Sequence, residues 1–271
     1  MTFARCSKFA LLPRLAGAFV FALSLALAGC GASSNLALTQ GNWSMTATQT
    51  GGGGTPNSTF YIGGNLTQNG GSLAGTMSIV NSLCYSSSQT VTFTGTVKGS
   101  NVTLTSASVG GEVISVTATG TAGSLTGNYT IAGGNTCDGD TGTIAANPVP
   151  AITASWSGPY DPEGDPNAVL TIAITQATTA SSDGTFALTG NLTFANSSCS
   201  VSGSLTSAFI AGPYLVVNGN TVEADNSAGD FTYTQVFLNN SGTPTSMTGT
   251  YSVSDGLCAG DYNTATFTKA Q

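Results

Sequence analysis

The sequence predicts an all-β protein: two tandem antiparallel meander domains, each a small eight-stranded up-and-down barrel. Three observations lead there. Apolar residues alternate with Thr and Ser at a period of two through much of the chain after residue 40, the pattern of a sheet with one buried and one wet face. Gly-rich breaks separate these runs at the roughly 8–12-residue spacing of barrels and sandwiches. One ordered set of landmarks also occurs twice.

In the first copy, runs begin near Trp43, Phe60, Leu73, Val91, Val102, Val113, Leu125 and Thr141. Val91, Phe93 and Val97 alternate with Thr, as do Val102 and Leu104, then Val116 and Ala118. Leu170, Ile172 and Ile174 repeat the pattern in the second copy. Asn69-Gly70-Gly71, Gly99-Ser100-Asn101, Gly110-Gly111, Ala122-Gly123 and Gly133-Gly134 are tight-turn signals between the runs. Short turns favour pairing between sequence neighbours, and eight meandering strands lose both free edges by closing on themselves. The alternative is a β-sandwich with Greek-key crossings.

The duplication sets the domain organisation. Leu73-Ala74-Gly75 precedes Cys84, and Leu188-Thr189-Gly190 precedes Cys199, with the same spacing of 11 residues. Leu125-Thr126-Gly127-Asn128-Tyr129 leads to Cys137-Asp138-Gly139-Asp140; Met247-Thr248-Gly249-Thr250-Tyr251 leads to Cys258-Ala259-Gly260-Asp261. Each copy opens on a tryptophan, Trp43 or Trp156. These readings place domain 1 at 41–146, a Pro-containing linker at 147–152 and domain 2 at 153–271. Such a period indicates tandem domains rather than a solenoid. Each copy carries its own two cysteines, so the economical disulfides are Cys84–Cys137 and Cys199–Cys258. In the first copy both partners fall in turns at one end of the expected barrel. Zinc is disfavoured, since the chain has no His and no C-x-x-C.

Residues 1–29 read as an export signal. Arg5, Lys8 and Arg14 form a positive start, Leu15–Leu27 is uncharged and apolar, and Ala28-Gly29 precede Cys30. The apolar run from Leu15 to Gly29 is 15 residues, short of the roughly 20 that a spanning helix needs. Leu27-Ala28-Gly29-Cys30 resembles the bacterial lipobox. That resemblance implies cleavage before Cys30, acylation of Cys30 and a lipidated tether over 30–40. Gly31 in place of Asp implies, by likeness to known sorting rules, the outer membrane. The chain as a whole resembles exported bacterial lipoproteins with Gly/Thr/Ser-rich tandem β domains. Gly41-Asn42-Trp43 also resembles the G-x-W opening of lipocalins, without their basic partner residue.

Charge limits the function classes. Beyond residue 30 only Lys98 and Lys269 are basic, against all 12 acidic residues. Phosphate recognition rests on Lys and Arg, so nucleic acid is not an expected partner. With no His and two remote lysines, the usual bases for a nucleophilic Ser are missing, and the chain is not expected to be an enzyme or to carry a cofactor. Asp161, Glu163, Asp165 and Asn167 place oxygens like the start of a calcium loop. Pro162 and Pro166 stiffen that stretch and no bidentate Glu follows at the twelfth position, which favours a solvated loop. Asp140 and Asp261 recur after their cysteines and read as turn carboxylates; the other acids fall in loops and do not recur between the copies. Trp43 and Trp156 read as barrel plugs. The functional expectation is a membrane-anchored, non-catalytic surface or envelope module, with an envelope component or glycan as possible partner. The alternative is a binding protein with a small apolar ligand inside a barrel, which a solid interior would count against and a cavity of about 300 Å³ would favour.

Overall fold

The computed structural model describes residues 35–52, 58–85, 89–134, 137–160, 167–238 and 243–270. The expected leader, Cys30, and the loop acids Asp161, Glu163 and Asp165 lie outside the described residues.

The first half of the described chain forms β1 (Gly41–Gly51), β2 (Thr59–Asn69), β3 (Ser72–Val80), β4 (Gln89–Lys98), β5 (Asn101–Ser106), β6 (Val113–Thr121), β7 (Ser124–Ala132) and β8 (Thr141–Pro148). The second forms β9 (Ala154–Pro159), β10 (Val169–Gln176), β11 (Phe186–Ala195), β12 (Ser200–Ala211), β13 (Tyr214–Glu223), β14 (Ala228–Leu238), β15 (Ser246–Asp255) and β16 (Tyr262–Lys269). Each half is a closed barrel in which consecutive strands pair, with no crossover. This is the up-and-down architecture expected from the short turns, and the sandwich alternative is not formed. Barrel 1 closes by pairing β1 with β8 from Trp43↔Pro148 to Gly51↔Thr141. Barrel 2 closes on a shorter seam, Thr268↔Ser157 and Lys269↔Trp156.

Alternation decides what faces inward. In β5 the residues alternate strictly between exposed and buried, so Val102 and Leu104 enter the core while Thr103 and Thr105 face water. Trp43, Met45, Ile62, Leu66, Phe93 and Tyr129 are fully buried in barrel 1; Trp156, Tyr160, Phe231, Tyr233, Tyr251 and Phe267 are fully buried in barrel 2. The outer faces carry hydroxyl pairs across strands, such as Thr96–Thr103 (3.0 Å) and Thr248–Thr266 (2.8 Å). A membrane-spanning barrel needs the reverse polarity, an apolar band outside.

One end of each barrel is closed by the segment that leads into it. In barrel 1, Leu36 N–H donates to Gly99 O (2.8 Å), Leu38 N–H to Gln68 Oε1 (2.8 Å) and Thr39 N–H to Ala122 O (3.0 Å). Leu38 is buried, and Trp43 Nε1–H donates to Thr39 O (2.6 Å). In barrel 2, Trp156 Nε1–H donates to Ile152 O (3.0 Å), and Ile152 N–H donates to Gln176 Oε1 (3.1 Å). These contacts correct the expected boundaries. Residues 35–40, assigned to a tether, form the lid of barrel 1, because an apolar Leu38 and a tryptophan N–H need cover. Asn147 and Pro148, assigned to the linker, complete β8; a strand's end tolerates proline because no ladder N–H is required there.

The two barrels dock with their backbones in close approach at glycines. The buried side-chain amide of Asn42 pairs with the peptide of Gly212 in both directions: Nδ2–H to Gly212 O (3.0 Å), and Gly212 N–H to Oδ1 (2.7 Å). Gly212 is the turn between β12 and β13, at φ +59°, and a Cβ there would lie 2.6 Å from Gly63 Cα. Gly184, in the β10–β11 loop, accepts from Asn65 N–H (3.1 Å). Tyr61 of barrel 1 meets Phe237 of barrel 2 with ring centroids 5.3 Å apart. The lid end of barrel 2 thus rests on the β1–β3 wall of barrel 1. Barrel 2 has Ser155 where barrel 1 has Asn42, and Thr171 where barrel 1 has Gly63, judged by strand register.

Candidate functional site

The barrel ends opposite the lids hold the disulfides and most of the buried charge. Cys84, after β3, joins Cys137, after β7; Cys199, after β11, joins Cys258, after β15. Each pair spans 5.7 Å between Cα atoms. The economical pairing is therefore the one formed, and each bridge ties two loops at the same end of a meander.

A buried glutamate sits under each bridge. In barrel 1, Glu112 is buried in the β5–β6 connection and accepts from Cys137 N–H (2.8 Å). In barrel 2, Glu223 is buried at the end of β13, in the corresponding β13–β14 position. Its carboxylate accepts from Ser200 Oγ (3.1 and 3.2 Å) and from Thr221 Oγ1. Glycines make room for both. A Cβ on Gly134 (φ +75°) would lie 2.3 Å from Glu112 Cγ, and one on Gly256 (φ +89°) 2.9 Å from Glu223 Cγ. This corrects the expectation that only the Cys-x-Gly-Asp acids recur. Glu112 and Glu223 are counterparts in space without a shared local motif, since Gly110-Gly111 precedes one and Thr221-Val222 the other. The available signal was their separation of 111 residues, close to the 113 between the tryptophans.

Asp140 and Asp261 occupy the turns expected of them. Asp140 N–H donates to Cys137 O (3.0 Å) and Asp261 N–H to Cys258 O (3.1 Å); their carbonyls accept from Ile131 N–H (2.8 Å) and Val253 N–H (3.0 Å). Asp140 Oδ2 lies 3.7 Å from Cys84 Sγ. In each barrel the two sulfurs and one aspartate oxygen fall within 4.8 Å of one another. The sulfurs are bonded to each other, and a thiolate is the form that binds metal, so this set offers an ion one carboxylate.

Tyrosines complete the clusters. Tyr129 is buried, and burial first, then the charge of Asp140, pushes its phenol up to about 12. Its hydroxyl has no hydrogen-bond partner among the described residues. With Asp140 and Gln49 it lines a void of about 20 Å³, room for one water. Tyr85 follows Cys84 and is pushed up by burial and then by Glu112 and Asp140. At the equivalent sequence position barrel 2 has Ser200, and Tyr160 lies beside Ser200, Glu223 and Asp261, with burial pushing its phenol up to about 12. Near neutral pH these phenols are protonated donors packed beside carboxylates.

Comparison with known protein families, curated proteins and solved structures finds no match to this chain. The fold and its clusters therefore carry the reading alone. Of the calcium candidates, Asn167 is described: it is exposed, and its backbone carbonyl accepts from Asn196 Nδ2 (3.4 Å). Trp43 and Trp156 plug the lid ends, far along the strands from the disulfides.

Proposed function

We propose that this chain is an exported lipoprotein, held on a membrane by acyl groups on Cys30, that presents a rigid, non-catalytic two-barrel module to the envelope or its surroundings. The observation that carries the module reading is the filling of both barrels by their own side chains. One contiguous set of buried residues runs from Trp43 to Tyr129 and Ile144 in barrel 1, and another from Trp156 to Phe267 in barrel 2. That filling supports a structural or interaction role over carriage of an apolar ligand inside a barrel. The buried carboxylates support it as well. They are engaged by backbone N–H groups and hydroxyls at the disulfide ends, where they order loops.

The membrane reading rests on Leu27-Ala28-Gly29-Cys30, and the outward hydroxyl pairs among the described residues, such as Thr96–Thr103 and Thr248–Thr266, suit barrels that stand in water beside the membrane. A single acyl chain binds a membrane only marginally, at roughly 0.8 kcal/mol per buried CH₂, so two or more chains on one cysteine are needed for a stable hold. The outer membrane is the proposed site. The test is the intact mass and fractionation of the protein extracted from its own cells. A mature chain starting at Cys30 with diacylglycerol and a further acyl group, and a soluble Cys30→Ser form, are expected. An unacylated chain, or a Cys30→Ser form equally tight on membranes, overturns the anchor. A co-purifying apolar molecule released on denaturation overturns the filled-barrel reading.

A further inference from the structure

Between the barrels lies a cleft of about 100 Å³ lined by Ser78, Thr90, Asp183, Thr185, Phe209 and Tyr214. Ser78 and Thr90 face each other across the β3–β4 ladder of barrel 1. The other four come from barrel 2: Asp183 and Thr185 from the β10–β11 loop, Phe209 from β12 and Tyr214 from β13. Binding sites favour such seams between domains, where two walls converge without either core being opened.

The lining has a specific chemistry. Asp183 Oδ1 is held in place by Thr185 N–H (3.1 Å) and Thr185 Oγ1–H (2.8 Å). Among the described residues the cationic side chains are Lys98 and Lys269, and neither lines the cleft. The exposed carboxylate of Asp183 thus shares the lining of the cleft with two half-buried aromatic residues from its own barrel and with the hydroxyl residues Ser78 and Thr90 of the other. Tyr214 is itself braced by Phe237 (centroids 5.6 Å apart). Carboxylate plus aromatic faces selects a cation, through Coulomb attraction and the ring quadrupole. Hydroxyl acceptors on the facing wall suit a group with several N–H donors, which an ammonium has and a quaternary amine lacks. The acidic balance of the chain raises the local concentration of such cations.

We infer that the inter-barrel cleft binds a primary ammonium group, R–CH₂–NH₃⁺, with Asp183 as counter-ion and Phe209 and Tyr214 as its aromatic walls. The volume admits the amine and a few carbons, so the rest of the ligand stays outside. An amine-bearing headgroup and a lysine-type side chain offer the same chemistry. At this size the affinity of the isolated group is about millimolar. This inference stands apart from the lipid anchor and from the barrel interiors.

The test is ¹H–¹⁵N NMR titration of the disulfide-intact protein. The probes are phosphoethanolamine, Nα-acetyl-lysine amide, choline and glucose, at equal ionic strength. The two primary amines are expected to shift the amides of Asp183, Thr185 and Tyr214 saturably; the stronger of the two identifies the source. Choline is expected to bind at least several-fold more weakly, and glucose not at all. Asp183→Asn, checked by its melting curve, is expected to weaken the amines about tenfold or more. Tyr214→Leu, which leaves the Asp183 loop untouched, is expected to weaken them as well. No saturable shift with either amine overturns the inference. So does binding unchanged in Asp183→Asn, or glucose binding as well as the amines.

Discussion

Replacing Gly184 by alanine tests the barrel-to-barrel contact more sharply than any larger change. Gly184 sits at φ +81°, and a Cβ there would fall 1.8 Å from Thr76 O on the wall of barrel 1. Two costs follow. Alanine in a left-handed conformation loses roughly 1–2 kcal/mol wherever it occurs. The overlap with Thr76 O can be relieved only by moving the loop off barrel 1, which breaks the Asn65 N–H to Gly184 O bond of 3.1 Å. That bond is worth roughly 1 kcal/mol net, and more if Asn65 N–H is left buried without a partner. Gly70 provides the control: φ is +60° and a Cβ there meets nothing within 4 Å. Gly70→Ala therefore carries the strain alone. In urea unfolding followed by circular dichroism, Gly184→Ala is expected to lose about 1–3 kcal/mol more than Gly70→Ala. Its transition is also expected to broaden or split as the barrels uncouple. Equal losses in the two variants, with both transitions single, would refute the docking argument.

Other measurements bear on the disulfide ends and the lids. Glu223→Ala strips the acceptor from Ser200 and Thr221 and is expected to cost about 2–4 kcal/mol in urea unfolding; a loss under about 0.5 kcal/mol would mean the buried carboxylate orders nothing. Removing either bridge, with sequence separations of 53 and 59, is expected to cost up to about 4 kcal/mol by loop entropy, read from the denaturation midpoint of Cys→Ala pairs. The folded phenols of Tyr129 and Tyr160 stand at about 12, above the usual 10. The unfolded chain therefore loses those protons first, and stability present below pH 10 is expected to fall as pH rises to about 12. The part of the rise in absorbance at 295 nm that comes from the buried phenols should then accompany unfolding, after the exposed Tyr262 has ionised. Both tryptophans are 0% exposed, so native emission is expected to be blue-shifted, and acrylamide quenching at the rate of free indole would contradict the lids.

Much of the fold was legible because barrels write their geometry into sequence at short range. The alternation of Val102 and Leu104 with Thr names the inward face whatever the strand's neighbours are. The glycine-marked turns between β2 and β3 and between β4 and β5 leave too few residues for anything but adjacent pairing. The duplicated cysteines then followed, since meander connectivity puts the turn after the third strand and the turn after the seventh at the same end. The lids were not legible. Leu36, Leu38 and Thr39 stand in a short polar stretch, and the groups that hydrogen-bond them in place, on Gln68, Gly99 and Ala122, are thirty or more residues away. Glu112 and Glu223 were missed for a related reason: each is surrounded by a different local sequence, and only closure of the barrel brings it beneath a disulfide.

The sequence by itself determined two all-β units, their strand order, their inward faces and their two bridges. All of these rest on period, turn length and copy number, which are local quantities. The tertiary structure alone decided how the copies differ in use. Asn42, Gly63 and Gly184 place the lid end of barrel 2 on the wall of barrel 1, while Ser155 and Thr171 leave the matching wall of barrel 2 with side chains over its backbone. That docking creates the cleft around Asp183 and Tyr214. A cleft is a relation between distant surfaces. Its residues meet only after each barrel has closed and the two have packed, so no spacing along the chain records it.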